Sequence, residues 1–252
     1  MMNITPTVKQ LLIINVLFYI GSMIVGEPAY KLLSIWFFEN PNFHFWQIFT
    51  HMFMHAPLPD FMHIVFNMLI LYSFGSALEQ LWGGKKFLFF YISCGLGAVF
   101  LDTVINYFIF ENGMNTLIEN GFQKAEILKV LSQGQYNPRW QEVMSVSDFQ
   151  SFMRTYMSSS LGASGALYGV LVAFAFMFPN IELFLLFVPI PIKAKYFVPG
   201  LLLIDLYFGV SGSSPFGGQT GIAHFAHLGG ALFGFLMMWY WKKNQFNKNR
   251  WD

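Results

Sequence analysis

The chain has little charge. Asp, Glu, Lys and Arg make up 11% of its 252 residues, against roughly 25% in a soluble domain. So few charges cannot coat a water-soluble globule of this length. A single cysteine, Cys94, excludes a disulfide scaffold. A net charge of +1 without a dense basic run argues against a nucleic-acid partner. No internal repeat or low-complexity tract is evident. What the chain does have is apolar: 55% hydrophobic residues, 31 of them Phe, and a mean hydropathy of +0.49. That content excludes a disordered polymer. The composition implies an all-α integral membrane protein, and the question becomes which polar residues sit inside its spans.

A spanning helix needs about 20 mostly apolar residues. Six stretches qualify or nearly do, at about 8–26, 61–80, 86–110, 161–178, 196–210 and 221–241, within one domain covering 1–252. The first is not read as a cleaved signal peptide, because only Lys9 precedes it and Gly26-Glu27-Pro28 follows it. Pro189, Pro191 and Pro199 break the run from Ile181 to Val210, so Ile181 to Pro191 is read as the end of a turn or a half-buried loop, with the span after it. With the N-terminus inside, nine cationic residues fall inside (Lys9, Lys85, Lys86, Lys193, Lys195, Lys242, Lys243, Lys248, Arg250) and five outside (Lys31, Lys124, Lys129, Arg139, Arg154). The positive-inside rule then expects both termini in the cytoplasm, and the expected location is the plasma membrane. From about 111 to 160 the chain turns polar. Ile118, Phe122, Ala125, Ile127 and Leu128 suggest an amphipathic helix on the membrane surface.

Polar groups within spans are costly, so each is a functional hypothesis. Gly162-Ala163-Ser164-Gly165 opens the fourth span, with Gly165 and Gly169 four residues apart on one helix face. By itself that pattern fits close helix packing equally well. In the sixth span His227, Gly230 and Gly234 share a face. If the two glycine faces meet, Ser164 and His227 come within hydrogen-bond reach, which a serine nucleophile needs. A core histidine bonded to a backbone carbonyl would explain His227 alone. His63 and Asn67, four residues apart at the start of the second span, can each donate to an oxyanion or act as interhelical glue. Topology tests these signals together: all four residues fall in the outer half of an even-numbered span, a convergence that favours one shared site.

On these residues the chain resembles the rhomboid family of intramembrane serine proteases, over most of its length from Trp46 to about Trp241. Trp46-Gln47-Ile48-Phe49-Thr50-His51-Met52-Phe53-Met54-His55 is similar to the family's first-loop signature. His63-x-x-x-Asn67 is similar to its oxyanion pair, and Gly75-x-x-x-Glu79 with Gly83-Gly84 to the end of its second helix. Gly162-x-Ser164-Gly165 and Ala226-His227-x-x-Gly230-x-x-x-Gly234 resemble its nucleophile and base motifs. The resemblance implies a six-transmembrane-helix rhomboid-like bundle and a serine endopeptidase that cuts transmembrane segments of other proteins. It implies Ser164 as nucleophile and His227 as base, a dyad without the third carboxylate of soluble triads. It implies Asn67, His63 and the backbone from Gly162 to Ser164 as the oxyanion hole, with Tyr168 packing on the histidine ring. No cofactor or metal is implied. The partners are transmembrane substrates and lipid, and oligomeric state is left open. Gln47 stands where the family usually has Arg, which questions how the first loop is anchored.

Other residues are read as structural. His44, His51, His55 and His224 lack Cys or carboxylate partners at metal-ligand spacing. Asp102 and Asp205 are read as helix-boundary or interhelical groups, Glu79 as serving an inner loop, and Cys94 as packing. The loop from Ser211 to Gly221, with Gly212, Gly217, Gly218 and Gly221, is a candidate lid. One rival is a non-catalytic rhomboid-like protein that binds membrane clients, which the presence of both dyad members disfavours. A second is a small six-helix channel or transporter, disfavoured because no related halves are visible.

Overall fold

A computed structural model describes residues 3–185, 188–211 and 223–244. The candidate lid falls outside the described residues except for Ser211, as do Lys248 and Arg250. Six helices form the body: α1 (Pro6–Val25), α2 (Met62–Trp82), α3 (Gly84–Glu119), α4 (Ser164–Met177), α5 (Ala194–Ser211) and α6 (His224–Asn244). Of these, α1, α2, α3 and α5 are long and apolar enough to cross a bilayer. The fold is an all-α membrane bundle. Ile24, Phe100, Leu203 and Tyr207 are among its exposed large apolar side chains, as expected of surfaces that face lipid rather than water.

The helix ends follow from local chemistry. Pro6 opens α1, where a missing N–H costs nothing. Glu79 of α2 accepts from the Thr7 and Val8 backbone N–H groups at 2.9 and 2.8 Å and from the Thr5 hydroxyl. A carboxylate at that helix start satisfies orphan donors and complements the dipole. Glu79 therefore caps α1, a more specific role than serving a loop. Gly83, at φ 77°, ends α2 and lets the chain reverse directly into α3.

The glycine faces of α4 and α6 meet. A Cβ on Gly230 would overlap the Gly165 carbonyl oxygen, and one on Gly234 would lie 2.7 Å from the Gly169 Cα. From α3, Cys94 closes against Gly169, and the Gly97 carbonyl oxygen would stand 2.6 Å from a Cβ on Gly229. Three helix backbones are thus in contact, as small residues permit. Cys94 is buried packing, as read from the sequence.

At 14 residues, α4 spans about 21 Å at 1.5 Å per residue, short of the roughly 30 Å hydrocarbon core. A helix of that length leaves at least one of its ends within the bilayer. By contrast α3 has 36 residues, about 54 Å, and projects well beyond the bilayer.

The polar segment departs from its expected form. The third helix does not stop near residue 110; it runs on to Glu119 and is followed by short helices Lys124–Ser132, Trp140–Val143 and Val146–Met157. They form a cap with its own core of Phe110, Met114, Leu117, Ile127, Trp140 and Phe152. Ile127 and Leu131 point into that core, so the expected surface-lying amphipathic helix is corrected: its apolar face is covered by protein. Residues Glu182–Leu185 and Val188–Lys193 pair as an antiparallel hairpin, β1 and β2, with Glu182 opposite Lys193 and Leu183 opposite Ile192. The expected loop there is a short sheet, because its prolines masked the strand pattern.

Candidate active site

The first loop sets one wall of the site. Gln47 is fully buried and ties that loop together. Its Nε2 donates to the carbonyls of Asn42, Lys31 and Leu32 at 2.9, 3.2 and 3.3 Å, and its Oε1 accepts from the His44 N–H at 3.1 Å. A neutral amide supplies both donor and acceptor, which a guanidinium cannot. The anchoring questioned at Gln47 is therefore present by another route. His51 donates its Nδ1–H to the Gln47 carbonyl at 2.8 Å. Burial pushes the His51 ring down to about 4, so it stays neutral. His55 is likewise pushed down to about 4, by burial and by the neighbouring His63.

The segment leading to Ser164 is sewn to this loop. Ile35 and Ser160 exchange backbone hydrogen bonds of 2.9 and 2.8 Å. The Gly162 N–H donates to the His51 carbonyl at 2.9 Å. That bond removes Gly162 from the expected oxyanion donors, because its proton already has an acceptor. Gly162 contributes conformation instead, at φ 126°, and space: a Cβ there would lie 3.0 Å from His63 Nε2.

Ser164 opens α4. Its hydroxyl oxygen lies 2.9 Å from His227 Nε2, within hydrogen-bond distance. The Tyr168 ring, one turn on, stacks on the His227 ring at 4.1 Å and 13°. The first backbone bond of α4 runs from the Leu167 N–H to the Ala163 carbonyl. The earlier N–H groups, including that of Ser164, lie outside the helical ladder and are suited to an anion. Opposite them, His63 Nδ1 accepts from the Ala56 N–H at 3.1 Å. In a neutral ring that assigns the proton to Nε2, the atom beside Gly162.

Asn67 departs from expectation. Its amide donates to the His63 carbonyl at 2.6 Å within its own helix, and its Oδ1 has no hydrogen-bond partner. It is not among the residues lining the central cavity. That cavity, about 1190 Å³, is lined by His63, Gly162, Ser164 and His227, with Asp102 and Arg154 further along toward the cap. Polar side chains set among apolar ones, as here, can hold water within a membrane protein. Ser164, His227, Tyr168, His63 and Gly162 are thus brought together, while Gly165, Gly230 and Gly234 form the helix contact that brings α4 and α6 into register.

Of the two sequence readings of Asp205, the interhelical one holds, with partners on α6 that the sequence did not name. This buried carboxylate on α5 has its Oδ1 2.5 Å from His224 Nδ1 and 3.2 Å from His227 Nδ1. The signal was available as an intramembrane carboxylate, but its partners lie on another helix and at no fixed spacing from it. These three groups have ligand atoms within 4.8 Å of one another. A spacing of 2.5 Å is that of a hydrogen bond, shorter than two ligands about 2.0–2.1 Å from one tetrahedral zinc would keep.

A rhomboid-domain family model matches residues 42–114 and 142–244, more than half of the chain. This chain belongs to the rhomboid family. A mitochondrial rhomboid protein of Schizosaccharomyces pombe is 27% identical over 79% of this chain and 52% of its own length. Rhomboid protein 1, mitochondrial, of Saccharomyces cerevisiae is 26% identical over 73% of this chain and 39% of its own. Rhomboid protease GlpG of Salmonella choleraesuis is 35% identical over 32% of this chain and 29% of its own. The rhomboid chain described here therefore spans about half, or less, of the length of these relatives. The two rhomboid relatives that match most of it are mitochondrial, which overturns the expected plasma-membrane location. The physical reason is that a Lys and Arg asymmetry orients helices in a bilayer without specifying which bilayer.

Proposed function

We propose that this rhomboid is an intramembrane serine endopeptidase, with Ser164 as nucleophile and His227 as general base. The observation that carries the reading is the 2.9 Å contact between Ser164 Oγ and His227 Nε2 inside a cavity that polar side chains help to line. The substrates are transmembrane segments of other membrane proteins, and the compartment of the two long-matching relatives supports a mitochondrial membrane as the place of action.

Ser164 Oγ attacks the scissile carbonyl carbon as His227 Nε2 takes the hydroxyl proton. The carbonyl oxygen becomes an oxyanion between His63 Nε2–H and the free N–H groups at the start of α4. His227 then protonates the leaving amine, and the C–N bond breaks to leave an acyl-serine. Water from the cavity, deprotonated by the same imidazole, releases the second product. The chemistry requires no cofactor.

Ser164→Ala and His227→Ala should each abolish cleavage of single-span substrates in reconstituted vesicles while helix content persists. A fluorophosphonate probe should label the wild type and not Ser164→Ala. Wild-type cleavage by Ser164→Ala would overturn the assignment.

A further inference from the structure

The dyad leaves one buried group without a task. Asp205, on α5, is 4% exposed and faces the side of His227 remote from the nucleophile. A neutral imidazole carries one proton. For Nε2 to accept the Ser164 proton, the ring's own proton must sit on Nδ1. The atom facing Nδ1 is a carboxylate oxygen of Asp205, which accepts that proton when the carboxylate is ionised. His224, one turn before His227 on α6, directs its Nδ1 at the same oxygen. Two ring N–H donors from α6 thus converge on one oxygen from α5, and the stacked Tyr168 holds the His227 plane from α4.

We infer that Asp205 is a positioning residue for His227, holding the imidazole in its Nδ1–H tautomer, and that His224 braces Asp205 in the orientation this requires. The inference rests on the peptidase reading above and adds a third member to its dyad. During attack, the Oγ–H proton moves to Nε2 as the Oγ–C bond forms. Asp205 stays ionised and stabilises the imidazolium that results. The 3.2 Å separation is at the long end for such a bond, as resting sites often show before substrate tightens them.

A purely structural alternative makes Asp205 a tie between α5 and α6. Asp205→Asn distinguishes the two, because the amide keeps the volume but can present N–H to Nδ1 and favour the wrong tautomer. On the positioning role, kcat should fall by about 100-fold or more while KM stays within about threefold. The thermal midpoint in detergent should stay near that of the wild type. Nitrogen-15 histidine spectra should show His227 protonated at Nδ1 in the wild type and at Nε2 in Asp205→Asn. Unchanged kcat in Asp205→Asn, or an Nε2–H tautomer in the wild type, would overturn the proposal. The wild-type spectrum decides even if the variant fails to fold. Cleavage by Ser164→Ala would instead sink the peptidase reading itself, so the two failures are distinguishable.

Discussion

At the scale of single residues, tautomer and backbone bonding decide what the motif residues can do. His63 is prepared as a donor because the Ala56 N–H occupies its Nδ1. The Gly162 N–H and one of the two Asn67 amide hydrogens, both groups expected at the oxyanion, already have carbonyl acceptors. His63→Ala should lower kcat by about 10²–10³, some 2.7–4 kcal/mol of transition-state stabilisation, with little change in KM. Cleavage kinetics on one fluorogenic transmembrane substrate measure this, and a loss below threefold would remove His63 from the role. The dyad residues were legible because serine and histidine are conspicuous in apolar spans. The destination of a backbone N–H was not, because it depends on how the first loop folds against residues about a hundred positions away. Gln47 makes the same point: its amide meets carbonyls of Lys31, Leu32 and Asn42, contacts no residue spacing announces.

At the scale of elements, glycine spacing was the strongest readable signal. Gly165 and Gly169 on one helix, with Gly230 and Gly234 on another, implied a meeting face, and the two helices meet there. The partners of Asp205 were unreadable for the complementary reason: α5 shows no stripe that aims its carboxylate at α6. The glycine contact has an energetic consequence. A methyl at Gly230 overlaps the Gly165 carbonyl, a backbone atom that can move only if the helix moves. Gly230→Ala should therefore separate α4 from α6, stretch the Ser164–His227 contact, and lower both cleavage and the thermal midpoint in detergent. Gly200→Ala is the control, since nothing lies within 4 Å of a Cβ there. In a helix that change should be neutral or stabilise by about 0.4–1 kcal/mol. Equal effects at both positions would show that the close approach is not what holds the site.

At the scale of the whole molecule, two apolar cores share one helix. The membrane bundle gathers around Val8, Leu71, Phe87, Tyr91 and Leu167, while the cap gathers around the C-terminal end of α3 and Trp140. The family match breaks between 115 and 141, a stretch that holds the last residues of α3, the helix Lys124–Ser132 and Trp140. The cap's polar composition was legible, but its fold was not, because a helix has no reason to end where a bilayer does. Trp140 is 1% exposed in that core, edge-on to Phe122 and Phe152. Trp140→Ala should cost the cap about 3–5 kcal/mol through lost burial and an unfilled cavity. If the two cores are energetically separate, the loss stays local, because α1 and α2 make no contribution to the second core. Hydrogen exchange should then accelerate across 120–157 and remain slow in α1, α2 and the inner half of α3. Arg154 and Thr155 line the cavity that holds Ser164 from the cap side, so loosening it should raise KM more than it lowers kcat. Uniformly faster exchange through the bundle would instead mean that α3 transmits the damage and that cap and bundle fold as a single cooperative unit.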